Sequence, residues 1–182
     1  PSMIAELSRH LPEPEAVIVG EPTQMQAITG HKGMVTLTTS ILGFEAHSSQ
    51  THRGVSAVMT AAKLVEKLNS MATELAEQTS IDTGFEPHHS TIHVGVIRGG
   101  TAINIISRHC EFHWDIRCIP DDDPKTIIDE FEKYCRDEVL PSMRQISSDC
   151  AIGTEVTASA PAFLMSESPA MGLLASLGTQ PT

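Results

Sequence analysis

The sequence predicts an α+β fold: a ferredoxin-like two-layer sandwich, with a four-stranded antiparallel sheet carrying two helices on one face. Three observations lead there. Apolar and polar residues alternate with a period of two in separate stretches, as in strands exposed on one side. Two stretches with helical spacing lie between them. The resulting order, strand, helix, strand, strand, helix, strand, is that of the split βαβ sandwich.

The elements follow in turn. Residues 2–11 are expected to form a short helix that Pro12 and Pro14 end, and residues 17–20 a short buried strand. The first strand of the sandwich puts Val35, Leu37 and Ile41 on one face and Thr36, Thr38 and Ser40 on the other. A helix is expected from Gly54 onward, with Val55, Val58, Met59, Ala62, Val65 and Leu68 as its apolar stripe. Residues 69–89 are polar, and read as helical continuation followed by loop. Ile92, Val94 and Val96 mark the second strand, and Gly99-Gly100 a turn or bulge where a Cβ would obstruct.

The third strand has the cleanest alternation, with Cys110, Phe112, Trp114 and Ile116 set against Glu111, His113, Asp115 and Arg117. Asp123 then reads as an N-cap with Pro124 in the first helical position, and Ile127, Ile128, Phe131 and Cys135 as the inner face of the second helix. A final strand is expected within residues 144–158. Both helices must cover the face that carries Trp114, which leaves the face with Arg117 open. Beyond about Ala158 the character changes, with Pro161, Pro169 and a small helix near residues 171–177. The expected organisation is therefore a complete domain at residues 27–158, inserted into a larger α/β domain represented by residues 1–26 and 159–182.

Bulk properties narrow the function classes. A chain of 182 residues with 40% hydrophobic but only 4% aromatic residues must fill its core with aliphatic side chains. The formal charge of −11 argues against nucleic acid and against an anionic membrane surface. No apolar run approaches the roughly 20 residues of a membrane span, and the first residues lack the features of a signal peptide. Cys110, Cys118, Cys135 and Cys150 are scattered, which favours free buried thiols and a cytoplasmic address.

Four short segments carry chemistry. In Ala16-Val-Ile-Val-Gly-Glu-Pro-Thr23 an apolar strand ends on Glu21, whose carboxylate is held in front of Pro22. That suits a rigid metal ligand, the alternative being a surface carboxylate at a turn. The others are Gly43-Phe-Glu-Ala-His-Ser-Ser49, Gly99-Gly-Thr-Ala-Ile-Asn-Ile-Ile106 and Asp115-Ile-Arg117. Together, from about Ala16 to about Phe163, they resemble the acetylornithine deacetylase, succinyl-diaminopimelate desuccinylase and carboxypeptidase-G2 family of zinc amidohydrolases.

The resemblance implies a lid and dimerisation domain flanked by pieces of the catalytic domain. It makes Glu21 a zinc (or cobalt) ligand in the full-length enzyme. His47 is implied as a catalytic donor that crosses the dimer interface to the oxyanion of the scissile carbonyl, where negative charge builds during attack. Asn104 and Arg117 are implied as substrate-binding, Arg117 gripping the α-carboxylate as a bidentate guanidinium can. The alternatives are a turn amide for Asn104 and a solvated Arg paired with Asp115 or Glu111 for Arg117. Ser107 stands where the family usually has Pro, which is expected to loosen the backbone there.

The family's His-x-Asp motif, Glu-Glu pair and far C-terminal His have no counterpart in these residues. No bound metal and no activity are therefore expected of this stretch alone. Gly30-His-Lys-Gly33 lacks the basic pair with Arg that desuccinylases carry there, so a neutral acetyl group is the expected acyl part and arginine biosynthesis the expected setting. The expected partners are a second copy of the chain and, in the full-length enzyme, an N-acyl amino acid. Other readings are a non-catalytic homodimerisation module, or the same domain from a desuccinylase or metallo-carboxypeptidase. The groups His88, His89, His93 and Asp121 to Asp123 are read as a solvated loop and an acidic N-cap.

Overall fold

The structure, a computed structural model, describes residues 20, 22–24, 26–78, 82–165 and 169–176. The helix expected at residues 2–11 and the strand residues before Gly20 lie outside the described residues. The chain divides into two compact units, Lys32–Ala162 and the flanking segments Pro1–His31 with Phe163–Thr182.

In the flanking unit, β1 (Gly30–His31) pairs antiparallel with β6 (Phe163–Leu164), extended by Met165 N–H donating to the Thr29 carbonyl at 2.7 Å. A short helix at Pro169–Ser176 falls where the small C-terminal helix is expected. Two-residue strands carry no periodicity, so β1 and β6 have no signature in the sequence.

The unit Lys32–Ala162 is the predicted sandwich. Its strands are β2 (Gly33–Leu42), β3 (Thr91–Gly99), β4 (His109–Cys118) and β5 (Ala151–Ala160). They form one antiparallel sheet in the order β3-β4-β2-β5, so β3 and β5 are its edges. Two helices, α1 (Ala57–Gln78) and α2 (Pro124–Tyr134), cover one face; a π turn at Cys135–Val139 and α3 (Leu140–Arg144) continue α2. Pro141 explains the widened turn: lacking an N–H, it cannot donate to the carbonyl one turn back, while Leu140 N–H reaches the Cys135 carbonyl instead. Asp123 caps α2 as expected, its carboxylate accepting from Lys125 N–H.

The core lies between helices and sheet. Leu37, Ile41, Phe112, Trp114 and Ile116 meet Leu64 and Leu68 from α1 and Phe131 from α2. Phe131 stands edge-on to both Trp114 and Phe112, with ring centroids 5.2 and 6.5 Å away. The buried indole N–H of Trp114 donates to Thr39 Oγ1 at 3.0 Å, so the largest core residue leaves no orphan donor. All four cysteines are free and buried. Burial pushes the Cys135 thiol up to about 12 and that of Cys118 up to about 11, which keeps both protonated and unreactive near neutral pH.

Two sequence expectations are corrected. Helix α1 begins at Ala57 rather than Gly54, because Gly54 is extended and Val55 bridges to Phe44. Its buried face is Ala57, Ala61, Leu64, Leu68 and Met71, so Val58 and Met59 fall outside the core and Met59 is 72% exposed. In β3, Gly95 is an extra residue opposite β4. The bulge keeps Ile92 and Val94 toward the helices but turns Val96 to the open face.

No helix among the described residues is long and apolar enough to cross a membrane.

Candidate functional site

Two loops leave the same end of the sheet, residues 43–50 after β2 and residues 100–108 between β3 and β4. Backbone bonds lace them together. Gly43 N–H donates to the Arg108 carbonyl at 2.7 Å, Ile106 N–H to Ala46 at 2.9 Å, and Ser48 N–H to Asn104 at 3.0 Å. His47 and Ile105 form an antiparallel bridge between the loops. The predicted residues His47 and Asn104 are therefore held side by side. Gly43 is required at the base, since a Cβ there would sit 2.1 Å from the Val55 carbonyl oxygen.

The imidazole of His47 is exposed, and its tautomer is set locally. Nδ1 accepts from the backbone N–H of Ser49 at 3.2 Å and lies 2.9 Å from the Ser49 hydroxyl. A ring nitrogen that accepts from an amide carries no proton of its own, so the neutral ring is protonated on Nε2. That leaves Nε2–H as the donor that the exposed ring offers. Ser49 is thus a positioning residue that sequence reading missed, although the run His-Ser-Ser carried the signal. The side chain of Asn104 is exposed and has no hydrogen-bond partner among the described residues.

Ser107 overturns the expectation of a loosened backbone. It is only 5% exposed. Its carbonyl accepts from Ala57 N–H at 2.8 Å and its hydroxyl from Val58 N–H at 3.1 Å. Ser56 Oγ, 3.2 Å from the Ser107 hydroxyl, accepts from Met59 N–H. Amides of the first turn of α1, which a helix cannot satisfy internally, are thus satisfied by the loop that carries Asn104. Replacing Ser107 by Ala is expected to cost about 1 kcal/mol, the usual loss for a missing cap. Denaturant unfolding checks the cost, and faster amide exchange at Ser48 and Ile106 is expected with it, since both bonds depend on the same loop.

Arg117 is not with this pair. It lies one residue before the end of β4, opposite Met34 and Thr91 at the starts of β2 and β3, on the open face, where its Nε donates to Asp115 at 2.7 Å. Eight residues along β4 separate it from His109, about 26 Å at the usual rise of a strand.

Glu21 lies outside the described residues. Among the described residues no three His, Cys, Asp or Glu side chains gather where they could hold a metal ion. His88 lies 3.4 Å from Asp82 across a solvent-exposed loop, as its reading as a loop residue requires.

The edge beside the His47 loop is apolar and open. Val96 and Ile97 on β3, Val58 and Met59 on the first turn of α1, and Ile103 and Ile105 in the following loop are all exposed. The first turn of α1 comes close to the end of β3, with Val58 Cγ2 3.7 Å from where a Gly100 Cβ would lie. Such a patch, along a strand edge with unsatisfied backbone groups, is a surface built to be covered.

Residues 29–143 match the family model described as peptidase dimerisation domain. The chain is 31% identical to an acetylornithine deacetylase of Myxococcus xanthus over 169 residues, 90% of this chain and 44% of that protein. It is 36% identical to an acetylornithine deacetylase of Photorhabdus laumondii over 107 residues, 59% of this chain and 28% of that protein. The chain thus spans less than half the length of these relatives. Among solved structures it is similar in fold to the aminopeptidase PepT from Bacillus cereus, with TM-score 0.59, 17% identity and coverage of 85% of this chain and 38% of that one. An amidase of the hydantoinase/carbamoylase family from Burkholderia multivorans gives TM-score 0.53 at 18% identity, covering 85% and 35%.

Proposed function

The chain belongs to the peptidase dimerisation domain family, and from that premise we propose that it is the self-pairing lid of a hydrolase that removes the acetyl group from an N-acyl amino acid, N-acetylornithine being the substrate its relatives suggest. The observation that carries this reading is an exposed His47, its Nδ1 engaged and its Nε2–H left to donate, with an open apolar edge beside it. An exposed donor beside such an edge is placed to serve a surface that comes to meet it.

Pairing along β3 would continue the sheet through a second copy with twofold symmetry and satisfy the unpaired edge. The position of Arg117 supports the same arrangement. One N-acyl amino acid cannot span a separation of about 26 Å along a strand. A single substrate therefore meets Arg117 of one protomer with His47 and Asn104 of the other. Arg117 is then the guanidinium that holds the α-carboxylate, while Nε2–H of His47 and the Asn104 amide donate to the carbonyl oxygen as charge grows on it.

Acetyl is preferred to succinyl because Lys32, the only Lys or Arg in Gly30-His-Lys-Gly33, is already engaged. Its ammonium donates to the carbonyls of Pro87 and His89 at 2.5 and 2.6 Å. Zinc or cobalt belongs in this proposal to the rest of the full-length enzyme, with Glu21 as one carboxylate. The described residues do not provide a site for it.

Two measurements test the reading. The full-length enzyme should hydrolyse N-acetylornithine in preference to N-succinyl-diaminopimelate; the reverse preference overturns the acetyl assignment. Sedimentation should find the present chain dimeric, and Ile97→Asp should raise its Kd about 100-fold, because each of two symmetric copies loses about 1.4 kcal/mol. A dimer indifferent to that change places the seam elsewhere.

A further inference from the structure

A second constellation lies at the same end of the sheet, in a cavity of about 350 Å³ that the deacylation proposed above does not use. Its walls come from the ends of β2 and β3, the start of β4 and the Gly99-Gly100-Thr101 turn, where Gly100 has φ +83°. Arg98, Arg108 and His109 line it on one side of the charge balance, Glu45 and Glu111 on the other.

What sets this cluster apart is that its charges are not spent on one another. Arg98 faces Glu111 directly in the β3–β4 register, yet no ion pair joins them. Glu111 instead lies 3.6 Å from His113 Nε2. Among the described residues the guanidiniums of Arg98 and Arg108 and the carboxylate of Glu45 have no hydrogen-bond or ion-pair partner. In a chain of formal charge −11, two unpaired arginines lining one cavity are conspicuous. Guanidiniums suit a planar carboxylate, and the free carboxylate of Glu45, with Glu111 lining the same cavity, suits an ammonium.

A simple anion would satisfy the arginines but face Glu45 and Glu111; a simple cation would meet the converse. Only a ligand carrying both signs a short distance apart fits both sets. We propose that this cavity binds the zwitterionic head of a free α-amino acid, its carboxylate held by Arg98 and Arg108 and its ammonium by Glu45 and Glu111. The volume falls within the range of small-molecule sites. Glu45 and Thr101 lie in the loops that carry His47 and Asn104, so the occupant would sit beside the candidate site without entering it.

Amide spectra of the present chain, titrated with glycine and L-alanine, test the proposal. Saturable shifts are expected at Glu45, Gly99, Gly100 and Thr101, and none of that size with acetate, ethylammonium or inorganic phosphate at equal concentration. Arg98→Gln, Arg108→Gln and Glu45→Gln should each weaken binding about tenfold or more, as loss of a charge-assisted bond does. All three side chains are exposed, so unchanged shifts elsewhere verify the fold of each variant. Equal response to phosphate or acetate makes it an anion site and overturns the proposal; so does an absent response to glycine, or binding that survives all three substitutions. None of these residues serves the proposed deacylation, so failure here leaves that reading standing, and the reverse holds too.

Discussion

His47→Ala in the full-length enzyme is expected to lower kcat by about 10²–10³ while leaving KM nearly unchanged. That is the typical effect of removing one preorganised donor from a developing oxyanion. The ground-state carbonyl is a weak acceptor and the transition-state oxygen a strong one, so the loss falls on the chemical step. Steady-state kinetics decide it: a rise in KM alone would mean that His47 merely binds substrate. Ser49 supplies a graded companion. Ser49→Ala keeps the backbone donor to Nδ1 and removes only the hydroxyl, so its effect should be much smaller. Complementation tests the crossed arrangement. Mixing His47→Ala with Arg117→Ala protomers should restore about a quarter of the wild-type sites, since half of the dimers are mixed and each has one intact site. No recovery would mean that both residues serve the same protomer.

Phe131→Ala is expected to destabilise the chain by about 3–5 kcal/mol, the range for truncating a buried aromatic residue. Phe131 is fully buried and its ring touches both Trp114 and Phe112, the sheet's two large inward residues. The cavity would open where α2 meets the sheet. Total stabilities run to about 5–15 kcal/mol, so most of the margin would go. Urea unfolding of the variant gives the number; a loss below about 1 kcal/mol would contradict the core described above. Phe131→Leu should recover much of the loss by refilling the space.

Legibility followed the strength of the periodic signal. In β4 every other residue from Cys110 to Ile116 is apolar and large, and each lies on the face that alternation assigns. Asp123-Pro124 marked the start of α2 because capping chemistry is local. In α1 the apolar pattern points to the wrong phase, since Val55, Val58 and Met59 are more apolar than Ala57 and Ala61, which fill the buried positions. Small residues allow close helix-to-sheet approach yet barely register as hydrophobic. Val58 and Met59, bulky and exposed, lie on the edge proposed to pair with a second copy. Gly95 hid the bulge in β3, because a glycine is silent about which face follows it. The capping role of Ser107 has no local signature, because the helix it caps lies 49 residues earlier in the chain, a relation that only tertiary structure shows. His47 and Asn104 were recognisable as residues but not as neighbours, their adjacency being made by main-chain bonds between loops. The separation of Arg117 from them was implicit, since Asn104 precedes β4 and Arg117 lies one residue before its end.

That separation has a kinetic consequence. In the crossed arrangement proposed for His47 and Arg117, which lie at opposite ends of one sheet, a lone protomer of the full-length enzyme would own both halves of a site and bring neither to the other. Its turnover would then depend on encounter between copies. Well above the dissociation constant of the pair, rate should rise in proportion to protein concentration. Well below it, rate should rise with the square, and specific activity should fall on dilution and return on reconcentration. The enzyme's own abundance would thus act as a control on its output, without any ligand or modification.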